Sequence, residues 1–144
     1  MHTVLVRLVF SVVFPVKVLV IDDDALVRGA LQSALSAHGH EVACAEDGKR
    51  GLVIFSEAPP DLLITDIIMP EQEGIETIIQ IRKMALDLPI IAISGGGRVR
   101  ATDVLRMARS FGADAVLEKP FTADALLATV ADAKAAARQR LGAA

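Results

Sequence analysis

The sequence predicts an α/β domain, a doubly wound parallel sheet covered by helices on both faces. From residue 16 onward, five short apolar runs alternate with longer amphipathic stretches, the pattern of repeated βα units. Two of those runs, Val16 to Ile21 and Pro89 to Ile93, are almost continuously apolar, as a strand buried on both faces must be. A length of 144 residues allows one such domain with a real core and leaves no room for a second.

The first strand is predicted over 16–21. In the helix that follows it, Val27, Ala30, Leu31, Ala34 and Leu35 recur at helical spacing and His38-Gly39 supplies the stop. Further strands are predicted over 41–45, 61–66, 89–93 and 115–118, each followed by a helical pattern. Thr122 is the expected N-cap of the last helix, with Leu126, Leu127 and Val130 on its buried side. The folded domain is thus placed at 16–140, and 141–144 reads as a frayed tail.

Residues 1–15 form an apolar extension. Val4, Val6, Leu8, Phe10, Val12 and Phe14 alternate with Thr3, Arg7 and Ser11, a strand-like pattern able to pair with an edge or a second chain. A homodimer is one consequence. An upstream start codon that adds a segment of little role is the simplest reading. A secretory signal is disfavoured by Arg7 and the missing cleavage site, and a membrane span of about 20 residues would consume the first strand.

Composition narrows the function. A net charge of −3 with no Trp or Tyr offers neither the basic surface nor the stacking platforms of a nucleic-acid binder. Cys44, the single cysteine, cannot form an internal disulfide, and its apolar surroundings suggest packing in a reducing, cytoplasmic setting. His2, His38 and His40 lack the spacing of a zinc site.

The informative residues are acids at strand ends. Asp22, Asp23 and Asp24 follow the first strand and Asp66 ends the third, where an ionised carboxylate is costly unless paired, hydrogen-bonded or bound to a cation. One Asp would serve as a helix cap, but three in a row exceed that need. In an open parallel sheet, ligands bind outside the carboxyl ends of the strands. That edge would collect Asp22, Asp23, Asp66, Ser94 after the fourth strand and Lys119 after the fifth. Three carboxylates suit Mg²⁺, a hydroxyl and an ammonium suit phosphoryl oxygens, and Asp66 would be the nucleophile.

Four strings now appear in order, each after a predicted strand: Val18-Leu19-Val20-Ile21-Asp22-Asp23-Asp24; Asp66-Ile67-Ile68-Met69-Pro70 with Gly74; Ile93-Ser94-Gly95; and Gly112-Ala113-Asp114 leading to Lys119-Pro120-Phe121. On these residues the chain, from Lys17 to about Arg138, resembles the receiver domain of bacterial two-component response regulators, especially the stand-alone chemotaxis type. The resemblance implies a flavodoxin-like sheet of order 2-1-3-4-5 with five helices. It also implies that Asp66 is the phosphoacceptor, Asp23 a direct Mg²⁺ ligand, Asp22 a ligand through water and the backbone carbonyl of Ile68 a further ligand. Ser94 and Lys119 would contact the phosphoryl group, and the Lys119-Pro120 bond would be cis. The phosphoryl donor would be a histidine kinase or histidine phosphotransfer protein, and the chain would catalyse only its own phosphorylation and dephosphorylation. The downstream target would be another protein.

The family usually carries Tyr, Phe or His three residues before the lysine, and this chain has Val116. The aromatic switch is therefore absent, which keeps a phosphorylation-independent receiver-like scaffold as the alternative. A Mg²⁺-dependent phosphatase is a third reading, although Asp66-Ile67-Ile68 lacks the second acid of a D-x-D pair. Arg98, Arg100, Arg106 and Arg109 are expected to form the solvated face of the fourth helix, and the place of that helix beside the output face of the family adds the expectation of an acidic partner.

Overall fold

The computed structural model describes residues 16–67, 73–95 and 101–142. The expectations for residues 1–15, Ile68, Arg98 and Arg100 lie outside these. Five strands, β1 (Lys17–Ile21), β2 (Glu41–Ala45), β3 (Leu62–Asp66), β4 (Ile90–Ser94) and β5 (Ala115–Glu118), alternate with five helices. These are α1 (Ala25–Ala37), α2 (Gly48–Glu57), α3 (Glu73–Met84), α4 (Ala101–Phe111) and α5 (Ala123–Gly142). All pairings are parallel and the strand order is β2-β1-β3-β4-β5.

Alternation along each strand splits the core in two. Val18 and Val20 of β1 pack with Leu31 and Leu35 of α1 and Leu126 and Val130 of α5. Leu19 and Ile21 turn to the other face, with Phe55 of α2, Ile78 and Ile81 of α3, and Val104 and Ala108 of α4. Leu31 and Leu35 lie one turn apart and are fully buried, each contributing about 1.5–3 kcal/mol of apolar transfer. Cys44 is half-buried against the α1 and α5 cluster, consistent with packing.

Local signals set the helix ends. Asp24 caps α1 through the Leu26 amide at 2.9 Å, and Thr122 Oγ1 accepts the Ala125 amide at 3.1 Å as an N-cap of α5. At the end of α1, Gly39 takes a left-handed φ of 83°, and the amides of Gly39 and His40 bond back to the carbonyls of Ser36 and Leu35. His40 is half-buried, its Nδ1 accepting the Val16 amide at 3.4 Å. Ser94 is the last residue of β4, within the strand instead of beyond it, because β4 pairs with β5 as far as Ser94↔Glu118. The last helix continues through Leu141 and Gly142.

What holds α5 at its far end is a cluster the sequence did not announce. Asp114, 5% exposed, accepts from Arg82 Nη2 at 2.9 Å, Arg140 Nε at 2.9 Å and the Ile90 amide at 3.0 Å. Arg82 also donates to the carbonyls of Gly112, Ala85, Leu86 and Leu88. Burial pushes the Arg82 guanidinium down from its usual value, and the Asp114 charge opposes that shift. The cluster ties α3, α5 and the start of β5 together at the amino ends of the strands.

Candidate functional site

The sheet register brings the strand-end residues into one row. Ile21 pairs with Thr65, so Asp22 falls beside Asp66; Asp66 pairs with Ile93, and Ser94 with Glu118, one residue before Lys119. Asp22 is fully buried, Asp66 is 2% exposed and Ser94 8%, while Asp23 is exposed. One carboxylate oxygen from each of Asp22, Asp23 and Asp66 lies within 4.8 Å of the others.

Lys119 closes the site from β5. Its Nζ donates to Asp66 Oδ2 at 2.7 Å and stands 3.2 Å from Asp22 Oδ2. Its backbone amide bonds the Ser94 carbonyl at 2.8 Å, and the Lys119-Pro120 bond is cis. Burial alone would lower the ammonium's pKa, but the hydrogen bond and charge of Asp66, with Asp22, outweigh that and raise it. Asp22 is pushed up from the usual carboxylate value, first by burial and then by the Asp66 charge, against the pull of the Asp24 amide and Lys119.

The three consecutive acids divide the labour. Asp24 caps α1, Asp22 Oδ1 accepts the Asp24 amide at 2.8 Å, and the exposed Asp23 is one of the three acids of the cluster. Asp22 Oδ2 is buried and, though near Lys119, has no hydrogen-bond partner among the described residues. Three carboxylates, two of them buried, against one ammonium leave an excess of negative charge. Carboxylate oxygens in that condition fit a hard divalent cation, so the residues present suit the expected metal.

Gly74 brings the start of α3 against β3. A Cβ there would stand 2.0 Å from the Asp66 carbonyl oxygen, so only glycine admits the approach. Glu73 Oε1 meanwhile accepts the Gly48 amide at 3.0 Å, fastening α3 to the start of α2.

Val116 is half-buried on β5. It lines a groove of about 490 Å³ between α4, β5 and α5, together with Val104, Leu105, Ala135 and, where the groove borders the site, Ser94. Arg109 also lines this groove, and Arg106 is exposed on the same helix.

A row of acids, two of them buried, with a lysine reaching across it at the carboxyl edge of a 2-1-3-4-5 sheet defines a class, and the family model for the response regulator receiver domain matches residues 18–131. The chain belongs to that family. It is 37% identical over 118 residues to response regulator MprA of Mycolicibacterium vanbaalenii, covering 79% of this chain and 48% of that protein. The chain therefore spans about half the length of the curated relatives it matches. Among solved structures it is similar to chemotaxis protein CheY4 of Vibrio cholerae (TM-score 0.74, 28% identity, 82% of this chain and 98% of that one). It is also similar to NtrX of Brucella abortus (TM-score 0.79, 28% identity, 90% of this chain and 29% of that one). Such relatives include both whole receivers and receivers joined to further sequence, so they do not single out the stand-alone chemotaxis type. Among the described residues no helix is long and apolar enough to cross a membrane.

Proposed function

We propose that the chain is a response regulator receiver that accepts a phosphoryl group on Asp66 from a histidine kinase or histidine phosphotransfer protein and signals through protein contacts. The observation that carries this reading is the acid row itself. Asp66 lies 2.7 Å from the Lys119 ammonium and in reach of Asp22 and Asp23, all at the edge where parallel sheets place ligands.

Asp22, Asp23 and Asp66, with the backbone carbonyl of Ile68, would hold Mg²⁺. When bound, the ion neutralises charge on the phosphoryl oxygens as an anionic nucleophile approaches an anionic donor. An Asp66 carboxylate oxygen forms a bond to phosphorus while the phosphorus–nitrogen bond of phosphohistidine breaks, its electron pair leaving on the imidazole. Lys119 and the Ser94 hydroxyl stabilise the phosphoryl oxygens, the lysine exchanging its contact with Asp66 for one of them. Dephosphorylation returns the carboxylate when water attacks phosphorus and inorganic phosphate leaves. The chain's only catalysis is this uptake and loss.

The test is intact-mass measurement after incubation with a small phosphodonor, with and without Mg²⁺, on the parent chain and Asp66→Asn. A metal-dependent phosphoryl adduct missing from the mutant is the expected result. The groove beside Val116 favours a second reading, a receiver-like scaffold that binds its partner without phosphorylation, and a folded parent that takes no adduct would select it.

A further inference from the structure

Arg28 stands in the second turn of α1, outside the acid row, yet its Nη1 donates to the backbone carbonyl of Asp22 at 2.6 Å. We infer that Arg28 is a positioning residue for the cation site, acting through the peptide plane between Asp22 and Asp23; this rests on the metal-assisted reading above.

The argument follows from what fixes Asp22. Its amide bonds the Ala45 carbonyl at 3.1 Å, the last link holding the chain to β2. Its Oδ1 accepts the Asp24 amide at 2.8 Å. Beyond this point β1 has ended and α1 starts only at Ala25, so the Asp22 carbonyl has left the sheet ladder and precedes the helix ladder. Arg28 reaches back to satisfy it.

That carbonyl belongs to the same rigid plane as the Asp23 amide. Pinning it sets the direction in which the chain enters Asp23, whose exposed carboxylate has no burial to orient it. With its amide, carbonyl and Oδ1 all held, Asp22 is left with Oδ2 turned toward Lys119 and the other acids. Arg28 acts on the backbone: burial and then the Asp66 charge raise the Asp22 pKa, the Asp24 amide and Lys119 oppose the rise, and Arg28 is not among the causes. A donor one step removed from metal ligands commonly changes affinity about 10- to 100-fold when lost.

The probe is Mn²⁺ alone, its binding to the full chain read by water-proton relaxation for the parent, Arg28→Met, Arg28→Lys, Asp23→Asn and Arg28→Met/Asp23→Asn. Arg28→Met keeps much of the side chain's length without the donor, and an affinity about tenfold weaker is expected. Arg28→Lys keeps one donor without the planar fork and should fall between, about threefold weaker. Because the effect passes through Asp23, the Arg28→Met loss should shrink to less than about twofold in the Asp23→Asn background, a coupling that a general loss of stability would not give.

Parent-like affinity in either Arg28 variant, or losses that simply add, would overturn the inference. Should Arg28→Met fail to fold, Arg28→Lys decides it alone. A parent chain that binds no Mn²⁺ would overturn the site reading itself, an outcome distinct from an unchanged Arg28 variant.

Discussion

Asp22→Asn should make the metal-free chain more stable. The buried Asp22 carboxylate gains about 5 kcal/mol from Lys119 at 3.2 Å, taking an effective dielectric near 20. It loses about 3.5 kcal/mol or more to the Asp66 charge, which lies within 4.8 Å, on the same scale, and a desolvation penalty of several kcal/mol is added. The raised pKa of Asp22 shows that the unfavourable side wins. Asparagine keeps Oδ1 for the Asp24 amide and sheds the charge, so a gain of about 1 kcal/mol is expected, near 3 °C in Tm for a chain of this length. The assay is thermal unfolding in a chelator across pH. A carboxyl whose folded pKa is raised contributes stability that is complete below its unfolded value and lost as pH rises through the folded value. The advantage of Asp22→Asn should therefore be absent in acid, appear through the folded pKa of Asp22 and persist at pH 7. Saturating Mg²⁺ should reverse the order, since only the parent keeps the full ligand set. An Asp22→Asn chain less stable than the parent at pH 7 without metal would refute the reasoning.

Gly74→Ala should cost about 2–3 kcal/mol in chemical denaturation, because the added methyl meets the backbone oxygen of Asp66, which no rotamer change can relieve. The folded fraction should also take up phosphoryl group more slowly in the mass assay, as α3 is displaced from β3; wild-type stability would show that the approach is looser than 2.0 Å. Asp114→Ala should cost about 3–5 kcal/mol, because it strips Arg82 and Arg140 of their shared anion and orphans the Ile90 amide. Cation affinity of the folded protein should be unchanged by Asp114→Ala, and a parallel loss of Mn²⁺ binding would contradict the separation of the two clusters.

Much of this was legible because burial speaks through hydrophobicity. Val18-Leu19-Val20-Ile21 has to be covered on both faces, and acids directly after such a run have to be explained by chemistry, so Asp22, Asp23, Asp66, Ser94 and Lys119 stand out from the residues alone. The strand order was not legible in this way, since apolar runs do not say which neighbour each will choose, and it came from the family resemblance. The Arg82–Asp114–Arg140 cluster escaped because its members are far apart in the chain and an arginine on a helix reads as solvated until the fold folds it inward. A signal was present: Asp114 sat in one of the strings that carried the resemblance, without a role. Arg28 escaped for a different reason, since its partner is a backbone carbonyl, and sequence patterns of side chains do not record those.

The two clusters place opposite demands on the same sheet. At the amino ends of the strands, the Asp114 carboxylate is held by two guanidiniums and an amide, and the result is rigidity. At the carboxyl ends, Asp22 and Asp66 share one ammonium with Asp23 close by, and burial together with the Asp66 charge raises the Asp22 pKa. A fold can keep such an imbalance only if stability is supplied elsewhere, here by the two buried clusters of aliphatic side chains and by the clamp on α5. The unmatched charge is also what would give the site its use: a cation and a phosphoryl group can each relieve it, so arrival of either changes the energy of the β1, β3 and β5 ends together. Lys119, bonded to Asp66 by its side chain and to Ser94 by its backbone, is the residue through which that change would pass to β4 and β5.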